Sequence, residues 1–273
     1  MPIEHHARTA PDPTGAPAGS PLPSHAPTSA PPGGPWADGG IGQRVAVLED
    51  RLEQGFDAVV DAVKPKLRGW LHLGTFPASV VAGIVLVAVS PTAEARISTA
   101  VFAITAALLF GVSALYHRGH WSPQTNGILK RLDHANIFLI IAGTYTPFTA
   151  LLLDPGRARV LLLVVWTGAL IGVVSQVFWP KAPRWLNAPV YVALGWVAVV
   201  YIPQFLSGGG VAVFVLVVAG GALYTLGGLV YGLKWPDPSP RWFGFHEVFH
   251  ALTIAAFVVH YVGVSMAAYT ATS

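Results

Sequence analysis

Seven long apolar runs follow one another along the chain, at about 71–90, 96–117, 132–153, 158–178, 187–206, 211–232 and 247–269. Each is close to the ~20 residues whose helical rise crosses the hydrocarbon core of a bilayer. Short turn signals separate them: Pro91-Thr92, Asp154-Pro155-Gly156, Lys181-Ala182-Pro183 and Ser207-Gly208-Gly209-Gly210. Pro147 and Pro203 fall inside or near the ends of the third and fifth runs, where they can kink a helix. The pattern predicts an all-α membrane protein, a bundle of seven transmembrane helices.

Two segments precede the bundle. Residues 1–40 hold ten of the 23 prolines, interspersed with Ala, Gly, Ser and Thr. Such a tail has too little apolar surface to bury a core and is expected to be disordered. In 41–65, Ile41, Val45, Leu48, Leu52, Phe56, Val59 and Val63 recur every three or four residues, with charges between them. That spacing predicts an amphipathic helix on a membrane surface or a partner, ended by Pro65. The membrane domain then occupies 66–273.

Composition agrees. The chain is 53% hydrophobic and only 11% charged, against roughly 25% charged in soluble domains. A net charge of +3 does not point to nucleic acid, because the basic residues fall between apolar runs, where they set topology. With the tail in the cytosol, thirteen Lys and Arg lie inside and three (Arg96, Arg157, Arg159) outside. The expected orientation is N-terminus cytosolic and C-terminus outside, in the plasma membrane. There is no cysteine, so any metal site must use His, Asp or Glu.

Candidate chemistry collects at one end of this topology. Ser113 and His117 lie four apart at the cytosolic end of the second run, Asp133 opens the third there, and His246 and His250 open the seventh. Residues four apart on a helix share a face. Three neutral imidazoles with an open fourth position suit catalytic zinc, at about 2.0–2.1 Å per Zn–N contact. His117, His246 and His250 are the expected ligands. Asp133 would hold the attacking water and act as general base, or ligate directly. Ser113 would orient Asp133 or a substrate carbonyl. Manganese or iron also suits three histidines and a carboxylate.

Plainer readings stand beside these. Asp133 at a helix start would instead cap it, and Ser113 would back-bond to the Leu109 carbonyl. Glu247 is expected to cap the seventh helix or pair with a loop cation. His72 reads as part of an interfacial anchor after Arg68-Gly69-Trp70, and His260 as a hydrogen-bonded packing residue. His134 reads as structural or interfacial, and His5, His6, His25 and His120 as solvated. Trp70, Trp121, Trp179, Trp185, Trp235 and Trp242 fall at span ends, like an aromatic belt.

Four stretches together, Ser113-Ala-Leu-Tyr-His117, Leu132-Asp133-His134-Ala-Asn-Ile-Phe, Ala142-Gly143-Thr144-Tyr145-Thr146-Pro147 and His246-Glu-Val-Phe-His250, resemble the hemolysin III family, which belongs with the progestin and adipoQ receptors. The resemblance covers about residues 66–269. It implies a seven-helix bundle with the amino terminus inside and zinc near the inner leaflet, held by His117, His246 and His250, with Asp133 on the water and Ser113 beside it. It implies membrane lipids as surroundings and a lipid amide or ester as substrate. The family also suggests a receptor or homeostasis sensor with structural zinc, and a pore-forming cytolysin. No charged ring or polar stripe through several runs suits a pore.

Single cysteines would report sidedness cleanly in a cysteine-free chain. Ser20→Cys should resist a membrane-impermeant maleimide in intact cells while Ser273→Cys reacts. Labelling of the first and protection of the second would contradict the orientation.

Overall fold

The computed structural model describes residues 47–48, 51–52, 65–179 and 184–271, with side chains from 189 onward in the last stretch. The tail at 1–40 and most of 41–65 lie outside the described residues. Val47, Leu48, Arg51 and Leu52 are helical and exposed.

Among the described residues, every other regular element is a helix. They are α1 (Trp70–Val89), α2 (Ala93–Arg118), α3 (Pro123–Leu152), α4 (Pro155–Phe178), α5 (Arg184–Gly195), α6 (Ile202–Leu233) and α7 (Phe245–Thr270), with a 3₁₀ turn at Val197–Tyr201. Among the described residues, six helical stretches are long and apolar enough to cross a membrane. The protein is therefore a multi-pass, all-helical membrane protein. The starts are written locally. Thr92 accepts the Ala95 N–H, Ser122 that of Thr125, and Asp154 that of Arg157, with Pro at the first position of α3 and α4. Asp154, in the connection outside the helices, accepts the Arg157 N–H and lies beside its guanidinium; both hold its carboxyl below the ordinary carboxylate range.

Two boundaries differ from expectation. α3 begins at Pro123, about nine residues before the apolar run at 132–153, because Ser122 and Pro123 start it and polar residues carry it outward. Asp133 therefore lies three turns into the helix and does not cap it. The runs at 187–206 and 211–232 form one composite stretch, Pro189–Leu233. α5 stops at Gly195, the 3₁₀ turn follows, and Gly210 breaks α6 with φ 70° and ψ 177°. Only glycine adopts such a backbone readily. The α5 break is not left unsatisfied. The Tyr145 hydroxyl, from α3, donates to the Gly195 carbonyl (2.7 Å) and accepts from the Ala198 N–H (2.8 Å). Lipid supplies no such partners, so the neighbouring helix does.

Packing is inverted relative to a soluble protein. Val81, Ile84, Ile97, Ile104, Leu163, Ile171 and Phe178 are exposed, as a lipid-facing surface should be. Inside, Phe102, Phe110, Phe138, Leu161 and Val165 are fully buried. Sequence neighbours pack together from α1 to α4 and from α5 to α7, and α7 returns to touch α1, α2 and α3. That return brings the two ends of the domain together. Since lipid tails are as apolar as leucine, close contact and buried hydrogen bonds hold the helices. Thr99, Thr105, Thr146 and Thr253 satisfy their hydroxyls on carbonyls one turn back, at 2.6–3.0 Å. Small residues permit close approach: a Cβ on Gly143 would stand 2.0 Å from Thr105 Oγ1, and one on Gly220 2.2 Å from His260 Nε2.

Gly143→Ala should therefore overpack the α2–α3 contact and cost about 1–3 kcal/mol, read as a lower unfolding temperature in detergent. An unchanged transition would show that α2 and α3 can part without cost.

Candidate metal centre

The site lies at the bundle end where α1 and α7 begin and α2 finishes. His117 is the penultimate residue of α2, and His246 and His250 lie in the first two turns of α7. A ligand nitrogen from each of the three lies within 4.8 Å of the others. His117 Nε2 and His246 Nε2 face each other at 3.2 Å. Two nitrogens on one zinc, each about 2.0–2.1 Å away at the tetrahedral angle, stand about 3.3 Å apart. The three imidazoles, all neutral donors when deprotonated, thus fit a single ion of the zinc type.

Asp133 reaches the same place from α3. Its Oδ2 is 3.9 Å from His117 Nε2, and its side chain is 13% exposed. A polar pair at that separation leaves room for a bridging water. Ser113 is buried one turn deeper than His117. It does not back-bond to Leu109, so that reading is set aside. Its hydroxyl is buried and has no hydrogen-bond partner among the described residues.

A buried ion pair frames these residues. Arg68 Nε donates to Glu247 Oε1, and the other oxygen, Oε2, accepts the Gly244 N–H at 2.8 Å. Glu247 is 0% exposed. It caps α7 and pairs with a cation at once, while standing between the two histidines in sequence. The segment before α1 adds two backbone hydrogen bonds, Lys66 N to Arg241 O (3.1 Å) and Leu67 N to Trp242 O (3.2 Å). A Cβ on Gly69, whose φ is 80°, would lie 2.6 Å from His117 Cβ; glycine is required there for both space and backbone.

The remaining histidines sort themselves. His134 donates from Nδ1 to the Lys130 carbonyl (2.7 Å), leaving Nε2 to accept from Tyr231 (3.3 Å). His260 donates to the Val217 carbonyl at 3.2 Å, the packing role expected of it. His72 is the correction. It is 2% exposed, not interfacial, and its ring stacks on that of His250 with centroids 3.8 Å apart and planes 13° apart. Its spacing on α1 gave no hint of this, because only the return of α7 brings the partner.

The profile of a family described as "Haemolysin-III related" matches residues 60–261, which include all of these site residues. The chain belongs to this family. It is 34% identical over 145 residues to Hemolysin-3 of Bacillus cereus, covering 51% of this chain and 64% of that protein. To the Hemolysin-3 homolog of Bacillus subtilis it is 36% identical over 141 residues, covering 50% and 63%. To the adiponectin receptor protein of Drosophila melanogaster it is 30% identical over 201 residues, covering 63% and 43%. The bacterial matches thus span just under two thirds of those relatives' own length. It is also similar to a progestin and adipoQ receptor-like protein of Caenorhabditis elegans, 27% identical over 183 residues, covering 60% of this chain and 42% of that protein.

Removing one partner of a buried pair leaves the other charge uncompensated. Arg68→Ala should cost about 3–5 kcal/mol, and Arg68→Met with Glu247→Gln together should cost less than Arg68→Ala alone. Denaturation of wild type, Arg68→Ala, Arg68→Met, Glu247→Gln and the double variant in one detergent checks this. Additive losses would show that the two side chains do not act as a pair.

Proposed function

We propose that this haemolysin-III-related protein is a zinc-dependent membrane hydrolase that cleaves an amide or ester bond in a lipid. The observation that carries the reading is the convergence of His117, His246 and His250, with the Asp133 carboxylate 3.9 Å from His117, at one end of an apolar bundle. Lipid carbonyls lie at the headgroup boundary, near such an end.

His117, His246 and His250 would hold the metal. Zinc bound there supplies a Lewis acid that polarises a carbonyl and acidifies water. Asp133 accepts the proton of the attacking water and returns it to the departing amine or alkoxide as the carbon–nitrogen or carbon–oxygen bond breaks. The products are a carboxylic acid and an amine or alcohol. Ser113, one turn from His117 on α2 and with its hydroxyl uncommitted, would orient the Asp133 carboxyl or the substrate carbonyl once substrate binds. In this reading the composite Pro189–Leu233 stretch crosses the plasma membrane twice, dividing at Gly210, which makes seven crossings with the amino terminus in the cytosol.

A second reading draws on the receptor relatives. There the metal ties α2 to α7 in a membrane receptor or sensor, and no bond is cleaved. Hemolysin-3, in turn, gives its name to a cytolytic reading. The two differ from the hydrolase in what survives mutation: a cytolysin would still leak dye from liposomes after loss of His250.

Purified zinc-loaded protein should hydrolyse an N-acyl sphingoid or acyl ester lipid in mixed micelles. Asp133→Asn should retain zinc and lose at least 100-fold in turnover, the scale of a lost general base. No turnover across a panel of amide and ester lipids would sink the hydrolase and favour the receptor reading.

A further inference from the structure

His72 carries an imidazole to the centre that no proposed step has used. Neither of its nitrogens meets a hydrogen-bond partner among the described residues, and the side chain is buried. Hydrogen bonding therefore does not fix the ring; packing does. The Phe110 ring of α2 stands against it edge-on, at 5.1 Å and 77°. Its opposite constraint is the face of His250, 3.8 Å away and almost parallel.

That parallel geometry rules out shared ligation. An imidazole lone pair lies in the plane of its ring. Two rings stacked at 13° aim their lone pairs along parallel planes, which do not converge on one ion. His72 accordingly stands outside the group whose nitrogens gather within 4.8 Å. What stacking does fix is the tilt of His250. Nδ1 of His250 is itself buried without a hydrogen-bond partner. A metal-binding histidine ordinarily has its ring oriented by a hydrogen bond from the second nitrogen to a carboxylate or carbonyl. Here that device is lacking on the protein side, and a flat ring takes its place.

We propose that His72 is a positioning residue of the metal centre: its ring, packed on His250, sets the plane in which His250 presents its nitrogen. This rests on the metal reading above. The rest of the α1 entrance is built to hold His72 still. Gly69 is pressed against His117, and Arg68 is bound to Glu247 in the first turn of α7. One short segment, Arg68 to His72, thereby touches or frames all three proposed ligands. Stacking also strengthens when one ring is polarised by a cation, so metal binding and the His72 contact should reinforce each other.

The test compares the full-length wild type with His72→Leu and His72→Phe in detergent. Co²⁺ titrations followed by visible absorption, and Zn²⁺ competition against a chromophoric chelator, give affinity and ligand geometry without any assay of activity. His72→Leu keeps bulk but removes the flat face; His72→Phe keeps a flat face and removes both nitrogens. The expected result is at least a tenfold weaker affinity and an altered Co²⁺ spectrum for His72→Leu. His72→Phe should stay within threefold of wild type with an unchanged spectrum. Metal-free melting curves verify that each variant folds, and His72→Met replaces His72→Leu if that one does not. A loss below threefold in the non-aromatic variant overturns the proposal, as does an equal loss in His72→Phe. Wild-type protein that binds neither ion overturns the metal reading itself, and this inference with it.

Discussion

The contact between Arg68 and Glu247 joins the entrance of the first helix to the entrance of the last, across 179 residues of sequence. Both side chains are buried at the rim of an apolar bundle, where an unpaired charge is costly. The cost makes the pairing obligatory. Once it forms, α7 is fixed in height and rotation against α1. Glu247 also occupies the Gly244 N–H, so the same carboxylate decides where α7 starts. His246 and His250 flank Glu247 on the helix, and their directions follow from it. His117 is then held by the backbone of Gly69, one residue from Arg68.

The interior polar groups show the same economy of placement. Most buried hydroxyls close onto their own helix. The exceptions near the site, Ser113 and the nitrogens of His72 and His250, are left without protein partners. They gather where the ligand nitrogens gather. Other buried side-chain atoms without a protein partner, such as those of Thr149, Gln176 and Tyr224, are scattered through the bundle, but only at this end do they stand beside a place fit for a metal ion and water.

Much of this could be read from residue order alone. Spacing of three and four placed the HxxxH pair on one face, and the alternation of basic clusters put Ser113, His117, Asp133, His246 and His250 at one end. The caps at Thr92 and Asp154 sit within the turn signals read from the sequence. Other features depend on tertiary contact and left no local trace. α3 runs outward from Ser122 as a polar helix, which hydropathy cannot see. The break after α5 is stabilised by Tyr145 from another helix. His72 looked interfacial because its neighbours Arg68 and Trp70 are; only the close of α7 onto α1 buries it against His250. Glu247 reads in the sequence as a cap or a pairing group and is both, but its partner, Arg68, lies too far away in sequence to name.

The central claim is that His117, His246 and His250 form one metal site. Elemental analysis of protein purified without chelators or affinity metals tests it most directly, on wild type and His250→Ala side by side. The account predicts close to one zinc per chain in the wild type and little in the variant, with both proteins folded. A folded wild type without stoichiometric metal, or a variant that keeps its zinc, would contradict it.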